Sequence, residues 1–175
     1  MAHANKVALI TGSNRGIGFE TARQLGQQGI TVVVTGRTGK EAADAAHKLQ
    51  EEGLPASSVT LDVTKADNRI AVARHIESHF GKLDILVNNA GIGPSDGLIG
   101  TRTSESSDEE LRHIFNVNLF SLVAITRELL PLLKRSEAGR IVNLASILGL
   151  LRCMRRNRVP WRRCVNSPIA PQKRR

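Results

Sequence analysis

Thr11-Gly12-Ser13-Asn14-Arg15-Gly16-Ile17-Gly18 is the stretch on which the fold turns. The apolar run Val7-Ala8-Leu9-Ile10 leads into it, and residues 19–28 follow with a helical pattern that Gly29 stops. A strand, a glycine-rich turn and a helix in that order put backbone N–H groups at a helix start, where an anion binds. Any Cβ would hold a phosphate away from those groups. The glycines therefore divide the work: Gly12 for the turn, Gly16 for the approach, Gly18 for close packing of helix on strand. The spacing is TGxxxGxG rather than GxGxxG. An ordinary turn after a strand also fits such glycines, so the surrounding chain has to decide between the two.

Outward from the turn, strand and helix patterns alternate. Residues 31–35 are β-branched and form a second strand; 40–52 form a helix ended by Gly53 and Pro55. Residues 59–63 are a third strand, and 66–80 a third helix with Ile70, Ala73 and Ile76 on one face. Residues 83–87 are a fourth strand opening into Asn88-Asn89-Ala90-Gly91, and 92–107 are a loop rich in Gly, Ser and Thr. A long helix over 108–134 starts with Asp108, Glu109 and Glu110 at its positive end, and Pro131 bends or ends it. Residues 140–145 are a fifth strand. Strands and helices at this spacing imply right-handed crossovers and a parallel sheet, and continuous apolar strands imply helices on both faces. The fold class is α/β, a Rossmann-like doubly wound parallel sheet of about five strands, over residues 1–150.

The end of the second strand bears on the ligand. NAD-binding folds carry an acid there for the ribose 2′-hydroxyl. This chain has Gly36-Arg37. A guanidinium suits a phosphate, and Arg15 in the glycine turn could reach the same group, so the pair points to NADP(H). Two solvated surface arginines are the plainer alternative. Asp62-Val63 closes the third strand, where the carboxylate could accept from an adenine amino group; an Asp at a strand end is also a common turn former.

In this series the chain resembles the short-chain dehydrogenase/reductases. TGSNRGIG at 11–18, Asp62-Val63, Asn88-Asn89-Ala90-Gly91, Asn116-Val117-Asn118 and Arg140-Ile141-Val142-Asn143-Leu144-Ala145-Ser146 have that family's order and spacing, over about residues 4–149. The stretch GFETARQLGQQGITVVVTGR looks most like its carbonyl-reductase-like, NADPH-using branch. The resemblance implies a cofactor site at Gly12, Ser13, Asn14, Arg15, Gly16, Ile17, Gly18, Arg37, Asp62, Val63, Asn89, Ala90 and Gly91. It implies that Ser146 bonds the substrate carbonyl and that the backbone of Asn118 holds a relay water. It implies a small carbonyl or alcohol substrate and a homo-oligomer joined through helix 108–134.

The same resemblance requires a Tyr-x-x-x-Lys helix after Ser146, and this chain contains no tyrosine. Residues 151–175 instead hold nine Lys+Arg and no acid, which is the whole of the +9 net charge. They also hold both cysteines, Cys153 and Cys164, the single Trp161, and Pro160, Pro168 and Pro171. The pattern predicts a disordered basic tail. It also predicts that the coding DNA, read in another frame from about codon 150, encodes the missing motif. The cysteine spacing matches no metal site or disulfide framework, and His75 with His79 reads as a helix surface.

No apolar signal core opens the chain and no apolar run approaches a membrane span, so the expectation is a cytoplasmic protein with no membrane contact. The favoured function is an NADP(H)-dependent oxidoreductase interconverting carbonyls and alcohols, inactive in this chain for want of the Tyr/Lys pair. The alternative is a noncatalytic nucleotide binder, or a polyanion binder acting through the basic tail without specific nucleic-acid recognition.

Overall fold

A computed structural model describes residues 6–93 and 107–145. Five parallel strands make one sheet: β1 (Val7–Ile10), β2 (Thr31–Gly36), β3 (Ala56–Thr60), β4 (Ile85–Asn88) and β5 (Arg140–Asn143), in the order β3-β2-β1-β4-β5. The order reverses at β1, which places a crevice beyond the carboxyl ends of β1 and β4. The helices are α1 (Gly16–Gln27), α2 (Gly39–Glu51), α3 (Ala66–Phe80), α4 (Asp108–Phe115) and α5 (Ser121–Lys134). A π-helical turn, Asn116–Phe120, joins α4 to α5.

Period-two alternation on β1 and β2 sends apolar side chains to both faces. Leu9 and Val33 join Val72, Ile76, Leu86, Ile125 and Leu129 on the face covered by α3 and α5. Ala8, Ile10, Val32 and Val34 join Ala22, Ala45, Ala46 and Leu49 on the face covered by α1 and α2. Each fully buried Val, Leu or Ile here contributes roughly 1.5–3 kcal/mol. Near the N-terminal end of β4, buried Asp84 accepts from the Val7 N–H (2.9 Å), Ser136 Oγ and Lys82 Nζ (3.1 Å). Burial pushes its carboxyl up, but those three donors outweigh it and hold the group below the usual carboxylate range.

Several sequence expectations shift. The third strand is Ala56–Thr60 rather than 59–63, so Asp62 and Val63 lie past its end, in the turn before α3. Polar Ser57 and Ser58 hid this strand, because β3 is a sheet edge and takes backbone pairing to β2 without an apolar run. On α3 the buried residues are Val72 and Ile76, while Ile70 is exposed, because the helix turns its 72/76 line to the sheet. Pro131 does not end its helix, which continues to Lys134. Residues 108–134 are long and apolar enough, with mean hydropathy 1.2, to cross a membrane by length and composition. Yet Ile125, Leu129, Leu132 and Leu133 pack into the sheet core, as in a core helix. Among the described residues β5 lies at the sheet edge with all four residues exposed, and Phe115, Leu119, Phe120 and Val123 are exposed on the helix. The contacts group residues 1–143 as one unit and 144–175 as another, of which only Leu144 and Ala145 are described. The expected basic tail lies outside the described residues.

On α3, His75 stacks on His79 with ring centroids 4.2 Å apart, and its buried Nε2 has no hydrogen-bond partner among the described residues. Burial pushes the His75 imidazole below its usual value, and the neighbouring His79 adds to this. The folded chain therefore holds fewer protons than the unfolded chain just below the ordinary histidine pKa. This contribution to stability is fully present above about pH 6.5 and is lost as the pH falls further, towards the depressed folded value. Urea midpoints should be higher at pH 7.5 than at pH 5.5, and His75→Gln should flatten the difference. An unchanged difference in that variant assigns the pH dependence elsewhere.

Candidate functional site

The glycine turn is built from below by two buried hydroxyls. Thr35, at the end of β2, accepts the Gly12 N–H at 2.9 Å and donates to the Ile10 carbonyl at 3.1 Å. Ser13 donates to the same carbonyl at 2.7 Å and accepts the Thr35 N–H at 2.8 Å, while its own N–H reaches the Thr35 carbonyl at 3.0 Å. Ser13 is fully buried and its donors are spent inside the protein. It shapes the turn and offers a ligand no free donor.

Thr11 ties this turn to the loop after β4. Its Oγ1 accepts the N–H groups of Asn89 (3.0 Å) and Ala90 (2.9 Å). Asn89 Nδ2 returns bonds of 2.9 Å to the Thr11 and Gly12 carbonyls. Gly12 has φ +63°, and a Cβ there would stand 3.0 Å from Ala90 Cα. A Cβ on Gly18 would stand 2.6 Å from the Gly12 carbonyl oxygen and press on the Asn89 amide. Gly18 thus lets the helix close on the turn and on the 88–91 loop, beyond the strand packing that its position suggested. Gly16 differs: its φ is +61°, and a Cβ there would enter open space. That space adjoins the α1 N-terminus. Arg15 stands at the N-cap with no side-chain cap bond, and the first turn carries no acid. Its N–H groups are therefore left for an outside acceptor. Asn14 is half-buried beside them, and Ile17 is 70% exposed on the same turn.

Gly36-Arg37-Thr38 forms the rim above β2. A Cβ on Gly36 would meet the Ala42 N at 2.9 Å, so α2 starts close against the strand. The nearest acid in sequence, Glu41, is spent on the Thr38 capping box. Among the described residues, neither the Arg15 nor the Arg37 guanidinium has a hydrogen-bond or ion-pair partner. Arg37 lies near enough to Asp62 for its charge to act on that carboxyl. Bonds from Thr64, then the charges of Lys65 and Arg37, hold Asp62 below its ordinary value against the effect of burial.

Asn118 sits in the π-helical turn, with both ends of its amide engaged. Nδ2 donates to the Ile92 carbonyl and Oδ1 accepts the Ile92 N–H, each at 2.8 Å. Gly91 faces the same amide, 3.3 Å from its would-be Cβ. The side chain thus holds the end of the 88–91 loop. Ser146 lies outside the described residues.

Sequence reasoning missed Thr11 and Thr35 as site builders, although both are polar residues at the ends of apolar strands. It missed Asn88, whose Nδ2 joins Asn143 Oδ1 (2.8 Å) and Thr126 Oγ1 (3.1 Å), locking β4 to β5 and α5. It also missed Asn68 and Arg69, which reach back to the Asp62-Val63 turn.

A doubly wound parallel sheet with an uncapped, glycine-lined helix start at its switch point defines a nucleotide-binding α/β fold. The family model described as short chain dehydrogenase matches residues 6–157, and the chain belongs to that family. It is 36% identical over 146 residues to the uncharacterized oxidoreductase YxjF of Bacillus subtilis, covering 83% of this chain and 55% of that one. It is 34% identical to the 3-oxoacyl-[acyl-carrier-protein] reductase FabG of Pseudomonas aeruginosa, covering 86% and 59%. Among solved structures, salutaridine reductase from Papaver somniferum superposes with TM-score 0.74 at 34% identity, covering 84% of this chain and 59% of that one. An actinorhodin polyketide ketoreductase crystallised with NADPH gives TM-score 0.73 at 35% identity, covering 81% and 53%. The chain therefore spans little more than half the length of these relatives.

Proposed function

We propose that the chain carries the NADP(H) site of an oxidoreductase that interconverts carbonyls and alcohols by hydride transfer. The observation that carries this is the open start of α1 at Gly16, where Arg15 makes no side-chain cap bond, with Arg37 at the end of β2, both guanidinium groups without a hydrogen-bond or ion-pair partner among the described residues. The residues fit the cofactor: the first-turn N–H groups of α1 would take the pyrophosphate, the two arginines a 2′-phosphate, and Asp62 the adenine amino group. The cofactor supplies the hydride when bound. NADPH in the similar ketoreductase supports the same reading. With no tyrosine in this chain, the site binds the nucleotide without turning over a substrate. The exposed Leu119 and Val123 support assembly of the whole family member through its helix face.

The test is titration of the full chain with NADPH and NADH. NADPH should bind more tightly, and Arg37→Ala should remove about tenfold or more of the preference, the effect of one charged hydrogen bond. Equal affinity for the two cofactors refutes the NADP(H) reading.

A further inference from the structure

We infer that Asn68 and Arg69, in the first turn of α3, are positioning residues that give the Asp62-Val63 turn its selectivity for a 6-amino purine. The inference rests on the NADP(H) reading above and deepens it. Asp62 Oδ1 is already taken twice, by the Thr64 N–H (3.0 Å) and Thr64 Oγ1 (2.6 Å). Among the described residues Oδ2 has no hydrogen-bond donor, with the Lys65 ammonium 4.0 Å away, and it is the acceptor left for a ligand. A single free carboxylate oxygen distinguishes bases sharply. It accepts from the 6-amino group of adenine and repels the 6-oxo group of hypoxanthine.

Such selectivity depends on where that oxygen points, and α3 fixes it. The Asp62 N–H donates to Asn68 Oδ1 at 3.0 Å. The Val63 carbonyl accepts from Arg69 Nη1 at 2.7 Å. The peptide groups on either side of the Asp62-Val63 pair are therefore pinned by neighbouring side chains of one helical turn. Rotation of either peptide would swing the carboxylate. The helix gains no N-cap in exchange, since Lys65 at that position makes no side-chain cap bond. Arg69 Nε is buried with no partner among the described residues, so this guanidinium is drawn in at a desolvation cost and bonds the turn.

A loop brace with no bearing on the base would lower affinity for every cofactor alike, so the measurement is a ratio. The full chain is titrated with NADPH and with the hypoxanthine analogue of NADPH. The parent should favour NADPH by about tenfold or more, the usual penalty for an unmatched polar group in a built site. Asn68→Ala and Arg69→Met should each cut that ratio by about threefold or more, through weaker NADPH binding, with the analogue's Kd nearly unchanged. Urea midpoints establish that each variant is folded. Should Asn68→Ala fail to fold, Arg69→Met, which keeps the alkyl stem, carries the test. Parallel loss for both cofactors, or an unchanged ratio, overturns the inference and leaves the cofactor reading standing. A parent chain that binds neither cofactor overturns both.

Discussion

The full chain, mixed with NADPH and a panel of aldehydes, ketones and quinones, is expected to oxidise the cofactor no faster than the protein-free control. Hydride arriving at a carbonyl carbon forms a C–H bond and leaves the electron pair on oxygen, which must then take a proton. The family supplies that proton from a tyrosine whose pKa a lysine lowers from near 10. This chain has no tyrosine, and Lys173 is the only lysine after Ser146. Arginine does not release its proton at neutral pH, and the Ser146 hydroxyl is too weak an acid to replace a lysine-tuned phenol. Cofactor binding without turnover is the expected pattern, read by fluorescence and by absorbance on one sample. Sustained turnover that disappears in Ser146→Ala would demand another proton donor and would refute the expectation.

The second large effect is expected at Gly18. A valine there puts Cβ 2.6 Å from the Gly12 carbonyl oxygen and against the Asn89 amide, which are bonded to each other while the same amide also holds the Thr11 carbonyl. Neither group can retreat without breaking the link between the glycine turn and the 88–91 loop. Overpacking of this kind costs about 1–3 kcal/mol or more, a large share of a small domain's stability. Gly18→Val should therefore lower the urea midpoint and abolish measurable NADPH binding together. Gly16→Ala separates the two effects. Its methyl enters open space, so the fold should survive with roughly 1–2 kcal/mol of left-handed strain. NADPH binding should nevertheless weaken more than tenfold, because the methyl occupies the phosphate's approach. Parent-like binding by Gly16→Ala would place the phosphates elsewhere.

The legible parts of this chain were those with a local physical signature. Val7–Ile10 and Thr31–Gly36 are apolar because both faces of the sheet are covered, and α3 keeps its predicted limits because Gly81 stops it in the left-handed conformation. The third strand was misplaced because an edge strand needs only backbone pairing, which Ser57 and Ser58 supply as well as valines would. The helix over residues 108–134 read as continuous because a π-helical turn leaves no mark on an apolar periodicity. That turn is where Asn118 finds both polar atoms of Ile92.

The sequence by itself determined the class of fold, the glycine turn, the family and the absence of the tyrosine, since each is a matter of residue identity and spacing along the chain. Only the tertiary structure decided what those residues do for one another. Ser13 braces the turn from within, because its hydroxyl lies within reach of Ile10 and Thr35, partners 3 and 22 residues away. Thr11 opens the glycine turn and is also the clasp to the loop after β4, 78 residues away. Hydrogen bonds between distant segments depend on which atoms the sheet brings within about 3 Å, and no local pattern of residues encodes that distance.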